Sequence, residues 1–312
     1  MALRLTVQRA AWESHVQSVA ESVAGLVPVV KGNGYGFGRR ALHPIAATLG
    51  EFVCVGTIDE LDGVAPTVTP VVLTPTLLPP DTTGAVLTVG SIEQVKALSG
   101  WQGRVLVKLQ STMRRYGATP GKLEQVMADA TAAGLEIIGC SLHLPLAGTD
   151  LQRLDEVEAW LERLDAQQPL WLSHLQPRSF STLQRRHPDR RFRLRAGTSL
   201  WHGDKSFLHL HADVLALHEV RRGQRAGYQL TAVPDDGHIV VVGAGTAHGV
   251  APLDEGASPF HFARTRLALL EPPHMHTSMV LAPTGTPCPA VGDQVDVQRP
   301  LITTFVDEVE WV

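Results

Sequence analysis

The residue best placed to do chemistry is Lys31, which stands between an apolar run and a glycine-rich turn in residues 29–38, VVKGNGYGFG. A lysine at the carboxyl end of a short apolar strand occupies the position where barrel enzymes keep their reactive groups. An amine that is partly removed from water loses its proton readily and becomes nucleophilic. Such a lysine can hold pyridoxal phosphate (PLP) as a Schiff base, provided that other residues complete the site.

The composition is that of a globular protein whose partners are small molecules. The 312 residues are 44% hydrophobic and 19% charged, which is enough to form a large core and two domains. A net charge of −4 gives no reason to expect a nucleic acid or an anionic membrane as partner. We expect no signal peptide and no membrane span, because the apolar runs are short and interrupted by charges. Cys54, Cys140 and Cys288 lie far apart, which indicates reduced thiols and a cytoplasmic location.

The order of apolar runs predicts an α/β fold. Up to about residue 203, short apolar runs alternate with helical patterns such as 91–98 and 151–164, the signature of repeated βα units around a parallel sheet. Eight strands with crossover helices favour a (β/α)8 TIM barrel. The eight predicted strands are 26–30, 52–56, 70–73, 85–89, 105–109, 135–142, 170–174 and 192–195.

Beyond residue 205 the pattern becomes rich in strands separated by turn residues, which predicts a second, mostly antiparallel β domain. We therefore expect a PLP-binding barrel domain over residues 1–205 and a C-terminal β domain over residues 206–312. The Arg-, Ser- and Pro-rich segment 177–190 is predicted to be a loop with a solvated basic face. The predicted strands of the β domain are 214–220, 228–233, 238–242, 266–270, 275–281 and 294–297.

Several motifs, in matching order along most of the chain, resemble those of the alanine racemases, PLP-dependent enzymes built from a barrel and a β domain. Residues 31–38 are similar to the family's K-A-N-A-Y-G-H-G, with Phe37 in place of the histidine. The resemblance implies that PLP is the cofactor and that Lys31 forms the internal aldimine and moves the α-proton of an amino acid. It also implies that Tyr35 lies near the cofactor phosphate.

A second motif concerns the substrate. Residues 108–117, KLQSTMRRYG, are similar to the family's K-x-D-T-G-M-x-R-x-G. The resemblance implies that Arg115 contacts the cofactor hydroxyl and the substrate carboxylate, and that Lys108 helps to position Arg115. Gln110 stands where the family has an aspartate, so the supporting polar network has changed. Met275, in a segment similar to M-D-Q-x-M, falls on the methionine that meets the substrate carboxylate.

Other residues resemble those that surround the cofactor. Residues 194–197, LRAG, look like the family's V-R-P-G, which places Arg195 against the pyridine nitrogen and the amides of Gly197 and Thr198 on the phosphate. An arginine stays protonated, so it donates to an unprotonated pyridine nitrogen and keeps the ring a weak electron sink. His143, at the end of the sixth predicted strand, resembles the family's ring-contacting histidine.

The group on the opposite face of the substrate differs from the family. Racemisation needs acid or base groups on both faces of the α-carbon. In the family a tyrosine in G-Y-A-D-G reaches across the dimer, whereas residues 245–249 read G-T-A-H-G here, with Thr246 in the tyrosine's place. A threonine hydroxyl is too weak an acid for this role without help. His248 and His276 are candidate substitutes, because a histidine ordinarily titrates near neutral pH.

Two more observations affect the expected site. The chain stops at Val312, ahead of the helix and late tyrosine with which the family continues, which predicts weaker cofactor binding. Histidines at two-residue spacing share a strand face, where a divalent metal can be held, as in D-threonine aldolases of similar fold. We assign no metal, because such histidines more often face solvent or the core. The histidines concerned are His209 and His211 with Asp213, and His274 with His276.

These residues leave three functions open. The first is an amino-acid racemase or epimerase acting through Lys31, which we favour. The second is another PLP reaction on the same fold, such as decarboxylation or metal-assisted aldol cleavage, which needs a single well-placed base. The third is a PLP-binding protein with little or no turnover. The resemblance further implies a homodimer with the active site at its interface and a small amino acid as substrate.

Overall fold

The computed structural model describes residues 3–312. The chain divides into two compact units. We call the first the barrel unit, which comprises His15–Gly32 and Arg39–Gly203, and the second the sheet unit, which comprises Met1–Ser14, Asn33–Gly38 and Asp204–Val312. The functional domains expected at residues 1–205 and 206–312 stay a prediction.

The bounds of the regular elements follow in chain order. The strands of residues 3–312 are β1 (Leu3–Val7), β2 (Leu26–Pro28), β3 (Phe52–Val55), β4 (Thr69–Val72), β5 (Val86–Val89), β6 (Arg104–Leu109), β7 (Glu136–Leu142), β8 (Leu170–Ser173), β9 (Phe192–Ala196), β10 (Leu208–Val220), β11 (Arg225–Ala226), β12 (Thr231–Ala232), β13 (Gly237–Val242), β14 (Phe260–Phe262), β15 (Thr265–Arg266), β16 (Ala268–Leu269), β17 (Ser278–Pro283), β18 (Gln294–Val297) and β19 (Glu308–Trp311). The α-helices of the same range are α1 (Arg9–Ser22), α2 (Arg39–Ala46), α3 (Ile92–Ala97), α4 (Leu123–Ala132), α5 (Asp150–Leu161), α6 (Pro177–Arg186) and α7 (Thr198–Trp201).

The barrel unit is built on a closed parallel sheet. Within residues 3–312 this sheet has eight strands in the order β2-β9-β8-β7-β6-β5-β4-β3. A bridge between Val29 and Cys54 joins the continuation of β2 to β3 and closes the ring. The strands are buried on both faces, as in Val86–Val89, where every residue is buried, because helices and loops cover the outside of a parallel sheet. The predicted TIM barrel and its eight strands are confirmed.

The prediction of a loop over residues 177–190 was wrong, since Pro177–Arg186 forms helix α6. Pro177 stands in the first turn, where a missing N–H costs nothing, and Phe180 and Leu183 form a buried stripe. The arginines that follow also have a structural role. Arg190 donates to the carbonyls of Leu161 and Leu164 at 2.9 Å, which satisfies the last turn of α5. The many basic residues of this segment led to the loop prediction, although the segment forms a short amphipathic helix.

The sheet unit contains a mostly antiparallel sheet, which confirms the predicted second architecture. Within the described residues it has nine strands, with the path β15-β14-β18-β10-β13-β17-β16 and with β1 beside both β10 and β19. The alternation Leu3, Leu5, Val7 places these three side chains in the core at 0% exposure. The strand β1 was missed in the sequence, because its partners lie some 200 residues or more away. No helix within residues 3–312 is long and apolar enough to span a membrane.

The predicted strand at 228–233 is mostly a turn, and only Thr231–Ala232 is extended. The buried carboxylate of Glu271 accepts the amides of Tyr228 at 2.8 Å and Gln229 at 3.0 Å, which bends the chain there. Gly227 has a φ of 80°, and a Cβ at this position would lie 2.2 Å from the Glu271 carboxylate. Turn formation around a buried charge therefore overrides the local strand pattern.

Candidate active site

Lys31 lies just beyond the carboxyl end of β2 in the barrel unit. Its side chain is exposed to solvent on one side, while the surrounding barrel desolvates the amine and, with the charges of Arg115 and Arg195, lowers its pKa below the ordinary lysine value. The side chain is thus accessible to a ligand, and the lowered pKa makes the neutral, nucleophilic form of the amine easier to reach. This placement agrees with the site expected for a barrel enzyme.

Two buried basic side chains on β6 and β9, strands that are not adjacent in the barrel sheet, extend toward the same region. Lys108 on β6 is 4% exposed, and burial together with the charges of Arg195 and Arg115 holds its pKa well below the usual value. Arg195 on β9 is 6% exposed. These side chains act electrostatically on one another and on Lys31, so the barrel unit concentrates positive charge at one place. Such a group of cations favours an anionic ligand.

Arg195 is fixed by backbone carbonyls. Its Nη2 donates to Leu142 at 2.8 Å and to Trp171 at 3.4 Å, and its Nε donates to Leu172 at 3.3 Å. None of these hydrogen bonds uses Nη1. Because an arginine remains charged even when buried, Nη1 can donate to a ligand atom without giving up its proton.

A neutral histidine lies beside these cations. His143 follows β7, its Nδ1 is 2.8 Å from the hydroxyl of Ser173, and its ring centroid is 4.5 Å from that of His174. Burial, followed by the charges of Arg195 and Lys108, lowers the pKa of His143 to about 2. The ring is therefore uncharged at neutral pH and can pack against or donate to a ligand without adding positive charge.

The sequence did not single out His174, which follows β8. Its Nδ1 lies 2.7 Å from the carbonyl of Leu144. Since a carbonyl only accepts, Nδ1 carries the proton and Nε2 is the unprotonated nitrogen of the neutral ring. Burial lowers the pKa of His174. The signal that could have found it is its position at the end of the seventh predicted strand, which corresponds to that of His143 at the end of the sixth.

Acid pH is expected to destabilise the protein through its buried histidines. Burial lowers the folded-state pKa of His43, His143, His174 and His211 below the unfolded value of about 6.5. The unfolded chain therefore binds protons first as the pH falls, and stability is lost progressively below about pH 6.5. We expect the free energy of unfolding, measured by urea titration, to fall by about 2 kcal/mol or more from pH 7 to pH 5.

His211 isolates one part of this effect. Its side chain is 4% exposed and neither ring nitrogen has a hydrogen-bond partner, so His211→Phe should leave the structure intact and reduce the loss of stability between pH 7 and pH 5. The exposed His276 provides the matched substitution His276→Phe, which should leave the pH dependence unchanged. An identical pH profile for His211→Phe and the unmodified protein would contradict the assignment.

The loop that carries Arg115 is held by a carboxylate of α5. Thr112 donates its amide to Glu156 Oε1 at 2.6 Å and its hydroxyl to Oε2 at 3.1 Å. Gly117 closes the loop with a φ of 129°, where a side chain is strained. Arg115 itself is exposed, with its guanidinium carbon 4.6 Å from the centroid of the Tyr116 ring. Glu156 could not be anticipated from sequence spacing, because the contact joins residues 44 positions apart.

Substituting Glu156→Gln should loosen this loop. The amide keeps the shape but loses the charge that strengthens both hydrogen bonds, so we expect about 1 kcal/mol less stability and faster hydrogen exchange at the Thr112 amide. Urea unfolding and exchange mass spectrometry measure the two effects. Glu162→Gln, at an exposed position just after α5, is the control. Equal exchange at Thr112 in the two variants would contradict the role of Glu156.

The expected phosphate-binding residues follow Arg195 directly. Gly197 precedes α7 and Thr198 is its first residue. The first amides of a helix have no acceptor within the helix and can bind an anion. The helix is anchored by Trp201, whose Nε1 donates to the Val29 carbonyl at 2.7 Å. Arg195, Gly197 and Thr198 are therefore brought to one turn of the barrel unit, although their roles stay predictions.

Tyr35 belongs to the sheet unit, in the segment Asn33–Gly38. It is 7% exposed and has a φ of 57°, an uncommon value for a residue other than glycine. The Asn33 side chain holds the segment by donating to the carbonyls of Leu301 at 2.7 Å and Thr304 at 2.6 Å. The chain thus changes unit just after Lys31, and the proximity of Tyr35 to a phosphate stays a prediction.

The residues expected on the opposite face of the substrate, and Met275, expected at the substrate carboxylate, also lie in the sheet unit. Thr246 and His276 are exposed, and Met275 is 67% exposed. His248 is 8% exposed; its Nδ1 accepts the Gly245 amide at 3.1 Å and its Nε2 is 3.2 Å from the Asp307 carboxylate. With both nitrogens occupied, His248 holds the turn at 245–249, and its proposed part in proton transfer requires these bonds to break.

One histidine of each pair considered for a metal is engaged with a carboxylate. His209 lies 2.9 Å from Asp296 and His274 lies 2.5 Å from Glu271. Arg4 pairs with Asp213 at 2.8 Å. In the part of the chain that the structure describes, no three or more His, Cys, Asp or Glu side chains are grouped so as to hold a metal ion.

Comparison with known proteins identifies the family. Residues 7–203 match the family model described as alanine racemase, N-terminal domain. This match covers more than half of the chain, so the protein belongs to the alanine racemase family. A comparison with curated proteins finds no match.

Solved structures share the whole fold. Alanine racemase from Bacillus anthracis with bound L-Ala-P is similar with a TM-score of 0.76 and 20% identity, over 95% of this chain and 85% of that chain. Alanine racemase from Bartonella henselae with covalently bound pyridoxal phosphate gives 0.74 and 18%, over 96% and 91%. The biosynthetic enzyme from Pseudomonas aeruginosa gives 0.71 and 19%, over 100% and 99%. At these identities the likeness establishes the barrel and β-domain fold.

Proposed function

We propose that the protein is a PLP-dependent racemase or epimerase of a small amino acid, with Lys31 holding the cofactor and moving the α-proton on one face. The observation that carries the proposal is the partly desolvated, accessible amine of Lys31 among the cations Lys108, Arg115 and Arg195. Family membership and the covalently bound pyridoxal phosphate of the Bartonella relative support it. Small amino acids are the substrates that the family name suggests.

The described residues fit PLP in chemical type. Lys31 is a nucleophilic amine for the aldehyde, and Arg195 has Nη1 available for the pyridine nitrogen. Neutral His143 suits the ring, and the amides of Gly197 and Thr198 suit the phosphate. When bound, PLP supplies an electron sink for the electrons left at the α-carbon after proton removal.

Each of these residues has a separate role in the proposed reaction. The Lys31 amine has a pKa below the ordinary lysine value, which favours its role in taking the α-proton and returning it. Arg195 would hold the pyridine nitrogen by donating a proton that it does not release, and the ring would then remain a weak electron sink. Arg115 is exposed beside the cations and binds the substrate carboxylate. Tyr35 contacts the phosphate and Met275 contacts the substrate in this proposal.

The second face needs a partner group, since inversion requires a proton donor there. We propose a homodimer in which Thr246 of the partner subunit faces the substrate, together with the exposed His276, whereas His248 acts only if its present hydrogen bonds open. We place the protein in the cytoplasm, where the free thiols of Cys54 and Cys140 stay reduced.

A second candidate, decarboxylation or another PLP reaction with one base, is favoured by Thr246 in place of a tyrosine.

The test of the racemase proposal is incubation of the PLP-loaded protein with single amino acids in D2O. We expect α-deuterium incorporation and equal amounts of both enantiomers of a small amino acid, measured by NMR and chiral chromatography. Release of CO2 or an aldehyde without inversion would instead support the second candidate. No exchange for any amino acid would contradict the racemase proposal.

Restoring the phenol should increase inversion. A correctly placed acid or base contributes roughly 100-fold or more to rate, so we expect Thr246→Tyr to raise the racemisation rate at least tenfold. Thr246→Phe supplies the same ring without the hydroxyl and should give no increase. Equal rates for the Tyr and Phe variants would show that residue 246 does not face the substrate.

A further inference from the structure

We propose that Glu60 and Arg39 form a clamp on Gly32 that positions Lys31, and that the charge of Glu60 acts on its amine; this inference rests on the proposed PLP chemistry. Glu60 Oε1 accepts the amide of Gly32 at 2.9 Å, and Arg39 Nη1 donates to the carbonyl of Gly32 at 2.7 Å. Both backbone polar groups of the residue after Lys31 are therefore held by side chains. Arg39 and Glu60 are also 3.9 Å apart, close enough to pair.

The clamp provides hydrogen-bond partners for the backbone of Gly32. The last sheet-like hydrogen bond before Lys31 runs from the Val30 amide to the Cys54 carbonyl. Gly32 then has a φ of 60°, which turns the chain away from the barrel strand. A left-handed turn of this kind has no ladder partner, so its amide and carbonyl require other partners. Glu60 and Arg39 provide them and so fix where the Lys31 side chain begins.

Glu60 also ties two strands together. Its second oxygen accepts the Gly56 amide at 2.7 Å, so one carboxylate spans the segments that follow β2 and β3. A Cβ on Gly56 would lie 2.8 Å from that oxygen, so a larger residue there would displace the Glu60 carboxylate. The Glu60 side chain is 14% exposed, and partial burial strengthens hydrogen bonds to a charged group.

The charge of Glu60 opposes the other groups around Lys31. Glu60 is the carboxylate that acts on the amine, while nearby cations and desolvation favour its neutral form. The charge of Glu60 therefore limits how far the pKa of the Lys31 amine is lowered. A group that both takes and returns a proton needs a pKa that is not too low. Glu60 and Arg39 are positioning residues, since they act on Lys31 through Gly32 and through charge. The titratable and charged groups that act on Lys31 include Arg115, Arg195, Lys108, His174, Cys54 and Glu60.

The test measures the proton affinity of Lys31 with no cofactor added. The pH dependence of Lys31 acetylation by acetic anhydride, followed by peptide mass spectrometry on the PLP-free protein, gives its apparent pKa. We expect Glu60→Gln to lower this pKa by about half a unit to one unit, since a nearby opposite charge is removed. The adjacent, exposed Asp59 provides the control Asp59→Asn, which should leave it unchanged. Equal pKa values for Glu60→Gln and the unmodified protein would overturn the proposal.

A second variant separates position from charge and serves if Glu60→Gln fails to fold. Glu60→Asp keeps the charge on a side chain too short to reach both amides. We expect the Lys31 pKa to stay near its original value and the rate of PLP attachment to fall several-fold; unchanged attachment would contradict the positioning role. If Glu60→Gln shifts the pKa but PLP never attaches to Lys31, the clamp stands and the proposed function fails.

Discussion

Replacing Lys31 with alanine is expected to abolish covalent attachment of PLP and to lower the rate of α-proton exchange by at least about 10⁴-fold, because the nucleophile and one proton carrier are lost together. Lys31 is accessible to a ligand, whereas its neighbour Lys108 is 4% exposed in the barrel wall and cannot take its place. Visible absorption after PLP addition and an NMR exchange assay measure the two losses.

Lys96→Ala is the matched control for this substitution, since Lys96 is an exposed lysine of α3. It should keep both the absorption and the exchange rate of the unmodified protein. Because the Lys31 amine is exposed, its removal should change the urea midpoint little. A Lys31→Ala protein that still exchanges α-protons at the original rate would show that another group does the chemistry.

The second large effect is expected for Arg195→Gln, which should impair both stability and catalysis. The substitution leaves the buried carbonyls of Leu142, Trp171 and Leu172 without their charged donor. Loss of charge-assisted hydrogen bonds at buried groups is expected to cost about 3 kcal/mol. Loss of a fixed donor to the reacting system typically lowers kcat by about 10² to 10³. Urea unfolding and steady-state kinetics measure these changes.

Arg193→Gln separates the two effects of Arg195. Arg193 lies two residues away on β9, pairs with Glu51 and stacks over Phe52 and Trp171, so its loss should reduce stability while leaving kcat unchanged. Arg195→Lys keeps the charge but not the planar fork, and should recover part of the stability. If Arg193→Gln lowered kcat as much as Arg195→Gln, the loss would reflect general damage to the barrel.

The barrel could be predicted because its strands carry their own signal. Runs such as 85–89 and 105–109 are mostly apolar and rich in β-branched side chains, and the structure places strands there. Strand β1 and strand β19 could not be predicted, because Leu3–Val7 and Glu308–Trp311 become strands through pairing with each other and with distant β10. Short edge elements depend on such tertiary partners more than on local propensity.

In the candidate site, too, some residues could be predicted from the sequence and others could not. Lys31 was singled out because it stands at the end of a barrel strand, and His143 and Arg195 because their segments resemble the family's motifs; the roles of all three stay predictions. The residues that hold them could not be predicted. Glu156 acts on Thr112 from another element, and His174 becomes significant only through its contact with His143. These relations depend on side-chain contacts that no sequence spacing encodes.

The most direct test of the central claim is borohydride reduction of the PLP-loaded protein followed by peptide mapping. We expect loss of the visible absorption band and a phosphopyridoxyl group on the peptide that contains Lys31, because this is the accessible amine with a lowered pKa. Lys96 and Lys122, which are also exposed, should remain unmodified. A label spread over exposed lysines, or no label on Lys31, would contradict the assignment of this residue as the cofactor-binding lysine.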